Sequence, residues 1–233
     1  MNATEHLEYR FGWVFLTVWL AGLSSSSGAE TPPPPPAENS TAGPVLEYQK
    51  PAATIWQDGV GEGFRSTTQT FGVEAGVGLG MAAFGGTQAH DLALISLMYG
   101  HMLGPVLGEG HWYRGNFEYR IELFGGAQYS PSTEWLVGLT PHLRYNFATG
   151  TRWIPFFDLG AGVTATGIAH PDLGGTFEFN LQACAGTHWF VRDNLALTGE
   201  VKYMHMSCAG IDKPNLGLND VVFMIGVTWF FGK

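Results

Sequence analysis

A chain of 233 residues with 33 glycines, 14% aromatic residues and only 13% charged residues suits one β domain of ordinary size better than a helical bundle. The formal net charge is −9, with 11 Lys and Arg against 20 Asp and Glu. No basic run occurs, so nucleic acid is excluded as a partner class, because phosphate binding needs clustered cations.

The apolar run FGWVFLTVWLAGL at residues 11–23 is too short to cross a bilayer as a helix. It is followed by SSSSGAE, which places Ser27 and Ala29 where a signal peptidase reads small residues. An export signal over residues 1–29, cut after Ala29, is expected, although Glu5 and Glu8 outnumber Arg10 in a region that is usually basic. The other reading of the same run is a buried strand or short helix of the domain. Residues 30–63 read as a proline-rich linker and periplasmic approach segment. TPPPPPAENSTAG favours extended polyproline, and the stretch after it mixes apolar residues and glycine without a clear period. A barrel domain is expected over residues 64–233.

From residue 71 the hydrophobic period is two, the signature of strands with two unlike faces. Strands are predicted at 71–81, 93–103, 116–123, 134–146, 153–165, 177–189, 195–203 and 219–231. In the third, Phe117, Tyr119, Ile121 and Leu123 alternate with Asn116, Glu118, Arg120 and Glu122. The eighth sets Val221, Phe223, Ile225, Val227, Trp229 and Phe231 against small or polar partners. The second is apolar on both faces.

A soluble sandwich and a transmembrane barrel both produce this alternation, and charge and aromatic placement decide between them. The non-apolar face interleaves both signs, including Glu74, Arg120, Arg144, Asp158, Glu200 and Lys202. Tyr and Trp gather at the ends of the apolar strips, at Tyr119, Tyr129, Trp135, Tyr145, Trp153, Trp189, Tyr203 and Trp229. Such girdles belong to outer-membrane barrels, whose narrow interior pairs acids with bases. The fold expected is therefore all-β: an eight-stranded antiparallel transmembrane β-barrel in the bacterial outer membrane. Gly76, Gly78 and Gly80 alternate within a strand and precede no helix, so a dinucleotide site is excluded.

Cys184 and Cys208 both carry lumen parity. A tight turn at 192–194 pairs Cys184 with Lys202, which leaves the thiols about six residues, or roughly 20 Å, apart along the sheet. A disulfide needs Cα atoms within about 7 Å, so two free thiols are expected. The histidines show no metal-ligand spacing, and no metal or cofactor is expected.

The segment KYMHMSCAGIDKPNLGLND, residues 202–220, places His205 and Ser207 two apart on the apolar face. Same-face neighbours of a strand lie roughly 6.8 Å apart at Cα, within reach for an imidazole to take a hydroxyl proton. Continuing the parity across the loop sets Ser207 opposite Asn219, with Asn219 diagonal to His205 and able to accept a hydrogen bond from the ring.

His205, Ser207, Ala209, Gly210, Pro214, Asn215 and Gly217 together resemble the H-x-S-N-A-G, P-N, G pattern of PagL-type lipid A 3-O-deacylases, outer-membrane esterases. The resemblance implies Ser207 as nucleophile, His205 as general base, and Asn215 with the backbone N–H of Gly210 as oxyanion donors. It also implies lipid A, or lipopolysaccharide, of the outer leaflet as the partner. Two positions depart from the pattern: Cys208 stands where the family has Asn, and Asn219 where it has an acid. A non-catalytic OmpA-like barrel, structural or adhesive, is the alternative that the missing acid favours.

Overall fold

The computed structural model describes residues 55–169 and 171–232. The export signal and most of the proline-rich linker lie outside the described residues, as does His170. Eight strands form: β1 (Gln69–Gly80), β2 (Asp91–Met102), β3 (Gly115–Ser130), β4 (Glu134–Phe147), β5 (Trp153–Thr166), β6 (Phe177–Arg192), β7 (Leu195–Ser207) and β8 (Leu218–Phe231). Each pairs antiparallel with the next, and β1 closes on β8, so the sheet is a barrel without edges. The strands have 12 to 16 residues, more than the nine to eleven or so that a tilted strand needs to cross a bilayer.

Parity sorts the side chains as the alternation predicts. Even-numbered positions point into the barrel and are buried, while odd-numbered ones form an outward apolar wall. β2 obeys the same rule despite its uniform apolarity: Leu92, Leu94, Met98 and Met102 are inside, and Ile95, Leu97 and Tyr99 face out. β3 continues to Ser130 beyond the predicted 116–123, through Gly125, Gly126 and Ala127, where small residues erase the alternation.

The interior has three layers. Its middle is an ion network in which Arg144 holds Asp158 by Nε at 2.7 Å and Glu200 by Nη2 at 2.8 Å, with its Cζ 3.3 Å from the Phe156 ring centroid. Lys202 reaches Glu122 at 2.7 Å and Glu200 at 3.2 Å, and His142 bridges Asp158 and Glu122. Above the network lies an apolar layer that includes Leu92, Leu94, Phe124, Leu136, Met204 and Met206. Below it is a second apolar layer, in which Trp56, Phe64, Phe190 and Phe230 meet at ring centroids 4.7 to 6.1 Å apart. Trp56 and Phe64 come from the segment before β1. The Trp56 indole N–H donates to the Asp193 carbonyl at 2.9 Å, and Asn116 and Phe64 exchange two hydrogen bonds. The end of the segment read as a periplasmic approach is thus packed into the lower mouth of the barrel.

The β6–β7 turn has the predicted register, with Cys184 across from Lys202. Both cysteines are buried free thiols.

Candidate active site

At the upper end, β7 carries His205 and Ser207 on its outward face, both half-buried, across from Leu181 and Phe179 of β6. His205 Nε2 lies 3.1 Å from Ser207 Oγ, and His205 Nδ1 lies 2.9 Å from Asn219 Oδ1. Serine, imidazole and amide therefore form one hydrogen-bonded row on an apolar wall.

The register that assembles the row differs from the expected one. Asn219 stands directly across from His205, and not across from Ser207. The cause is local. The chain turns as soon as β7 ends, with Ala209 at φ 53° and Gly210 at φ 84°, closed by Ile211 N–H to Cys208 O at 3.1 Å. Positive φ at both central residues makes a tight turn, unusual for the alanine and natural for the glycine. A Cβ on Gly210 would meet nothing within 4 Å, so this glycine serves conformation and not space. Gly217 serves both: its φ is 82°, and a Cβ there would lie 2.8 Å from His205 Cε1.

Asn215 and Gly210 flank the serine on the same loop. Asn215 Oδ1 accepts from the Cys208 backbone N–H at 3.0 Å and from its thiol at 3.2 Å, which leaves the amide NH2 group without a partner among the described residues. The Gly210 N–H likewise has none there. The Cys208 sulfur also contacts the Asp212 carbonyl at 3.3 Å and its N–H at 3.4 Å. Cys208 thus pins the loop with several weak thiol contacts where the family pattern has an amide.

Residues 93–228 match the family model described as lipid A 3-O-deacylase (PagL). The chain belongs to this family. The crystal structure of the outer membrane enzyme PagL is 20% identical over 66% of this chain and 97% of that one, with a TM-score of 0.49. That of Neisserial surface protein A is 15% identical over 70% and 97%, with a TM-score of 0.52. The outer membrane protein OprG from Pseudomonas aeruginosa is 12% identical over 74% and 99%, with a TM-score of 0.45. No curated protein sequence matches the chain. This PagL-family chain is a bacterial outer-membrane barrel.

Three residues outside the sequence-derived site hold it in place. The Tyr203 hydroxyl donates to Asn219 Oδ1 at 2.6 Å, and Asn219 Nδ2 donates to the Ala83 carbonyl of the β1–β2 loop at 2.8 Å. Tyr203 shares the parity of His205, and that was the signal available for it. Ala83 sits in a loop without period and offered none. The third residue is Asp172 in the β5–β6 loop. Its carboxylate accepts from Thr87 N–H and Oγ1, Gln88 N–H and the His90 ring, and its backbone carbonyl accepts from Leu216 and Gly217 N–H. Asp172 therefore ties together three loops, including the one that follows Ser207.

Burial alone would raise the Asp172 carboxyl, but the hydrogen bonds from Thr87, His90 and Gln88 outweigh it and hold it below the ordinary carboxylate value. The folded value is below the unfolded one of about 3.9, so the contribution of this clamp is complete above roughly pH 4 and is lost as pH falls through the folded value. Hydrogen exchange of the Thr87 and Gln88 amides, which donate to this carboxylate, corrected for intrinsic rates, is expected to show protection near neutral pH that fades in acid. Asp172→Asn is expected to lack that protection at both pH values, and a variant with these amides as protected as in wild type would refute the clamp.

Asp212, a possible substitute acid by its position in the loop, points elsewhere: its Oδ2 would lie 2.5 Å from a Cβ on Gly175 in the β5–β6 loop. His142, Asp158 and Cys184 offer ligand atoms within 4.8 Å of one another in the interior. A cation there would have to displace the guanidinium groups of Arg120 and Arg144 from Asp158, so the trio belongs to the ion network.

Proposed function

We propose that this chain cleaves the ester-linked 3-O acyl chain of lipid A at the outer leaflet of the outer membrane. The observation that carries the reading is the hydrogen-bonded row Ser207–His205–Asn219, placed on the lipid-facing wall of a PagL-family barrel. Two of the three lower links, 148–152 and 193–194, are short against 103–114, and three of the four upper ones, 81–90, 167–176 and 208–217, have ten residues against the short 131–133; this balance supports an outer-leaflet position for the row. A serine hydroxyl and an imidazole on a hydrocarbon-facing surface match a substrate that is itself a lipid.

In the first step, Ser207 Oγ attacks the acyl carbonyl carbon while its proton passes to His205 Nε2. The Gly210 N–H and the Asn215 amide face the developing oxyanion. Collapse of the tetrahedral intermediate breaks the bond to the sugar O3, which takes the proton from His205 and leaves an acyl-Ser207 ester. Water, deprotonated by the same imidazole, releases the fatty acid. Asn219 orients the ring throughout.

Mass spectrometry of lipid A from cells expressing the protein tests the reading. Species lighter by one ester-linked acyl group are expected, with the matching fatty acid released. Lipid A of unchanged mass, with the barrel present in the outer membrane, would overturn it.

A further inference from the structure

We propose that this site is built around an amide in place of the family's acid, and that Tyr203 and the β1–β2 loop are its positioning elements. The inference rests on the esterase reading and adds to it the state of the imidazole and the parts that impose it.

An asparagine side chain has one acceptor end and one donor end, and its neighbours decide which way it points. The Ala83 carbonyl can only accept, so it requires the NH2 end of Asn219, at 2.8 Å. The oxygen end is thereby turned to Tyr203 and His205, and its two lone pairs accept from the Tyr203 hydroxyl at 2.6 Å and from His205 Nδ1 at 2.9 Å. Every polar atom of a side chain only 2% exposed is then satisfied. Since Oδ1 is an acceptor, His205 Nδ1 must carry hydrogen. The neutral ring is therefore protonated at Nδ1, with the Nε2 lone pair facing Ser207 Oγ at 3.1 Å. That is the state a general base requires, reached without a carboxylate.

The neighbourhood is shaped for this amide. Gly86 of the β1–β2 loop lets that loop close on the site: a Cβ there would lie 2.7 Å from the Gly217 carbonyl oxygen, and it would sit in ordinary contact, at 3.6 Å, with Asn219 Nδ2. Phe84, at φ 51°, sets its ring edge-on to Tyr203 with centroids 6.4 Å apart. Replacing Asn219 by an acid would press a carboxylate oxygen against the Ala83 carbonyl and release the β1–β2 loop from the site. In this chain, restoring the family's charge is thus expected to harm the site.

Two measurements test the proposal together. In the refolded full-length protein in detergent micelles, 15N NMR of His205 at alkaline pH is expected to show a protonated Nδ1 and a bare Nε2. Asn219→Ala is expected to lose that preference. In a lipid A deacylation assay, Asn219→Asp and Tyr203→Phe are each expected to lower kcat about tenfold with KM little changed. A ring protonated at Nε2 in the wild type would overturn the proposal, as would a gain in kcat on Asn219→Asp. If the wild type releases no acyl chain while His205 shows the expected tautomer, the esterase reading fails and the amide lock stands.

Discussion

Ser207→Ala is expected to lower 3-O acyl release by roughly 10⁴-fold or more, with the barrel intact. Alanine removes only the oxygen that would form the acyl bond in the proposed mechanism. Position 207 is the last residue of β7 and half-buried, so its backbone pairing with Phe179 remains. No other hydroxyl is hydrogen-bonded to His205 Nε2 among the described residues, so no neighbour inherits the role. His205→Ala is expected to cost a similar factor. The double variant should be little worse than either single one, because nucleophile and base act as a unit. Time courses of released fatty acid, with heat-modified gel mobility as the folding control, would decide. A Ser207→Ala protein within tenfold of wild type would remove serine from the mechanism.

The second large effect concerns stability. Arg144→Ala is expected to destabilise the barrel by about 3–5 kcal/mol, the usual cost of stranding buried charges by removing one partner. Arg144 is 1% exposed and satisfies Asp158 and Glu200 together, with His188 at 3.2 Å from its Nη1. Apolar layers above and below limit the water that could replace it. Arg144→Met, which retains volume but not charge, is expected to cost nearly as much. Adding Glu200→Gln to either variant should recover part of the loss, since one stranded carboxylate is then gone. Urea unfolding in micelles measures all four proteins. A loss below about 1 kcal/mol for Arg144→Ala would show that the network is hydrated and screened.

The architecture was readable from period and parity because a barrel wall imposes one rule on every strand. Leu97 and Tyr99 of the uniformly apolar β2 obey it as strictly as Phe117 and Tyr119, whose neighbours are charged. The pairing of Cys184 with Lys202 was readable for a related reason, since a turn of two or three residues leaves little freedom of register. The β7–β8 loop is longer, and its turn depends on Ala209 entering the left-handed region, which no residue preference predicts; Asn219 therefore lands across from His205. The contacts of Asn219 with Ala83 and of Asp172 with Thr87 join segments more than eighty residues apart and leave no mark on local patterning. Trp56 lies in a stretch with no period because its burial comes from plugging a hole and not from lining a sheet.

That plug has a bearing on traffic. Among the described residues, the bore is packed with rings below and largely with aliphatic and thioether side chains above, and the ion network of Arg144, Asp158, Glu200, Lys202 and Glu122 lies between. An ion or an acyl chain on the barrel axis meets packed side chains of the described residues. On the proposed esterase reading, a lipid substrate reaches the outward-facing imidazole sideways, by diffusing in the plane of the bilayer. Encounter then depends on how crowded the leaflet is with substrate, and not on how much of it the surrounding water holds.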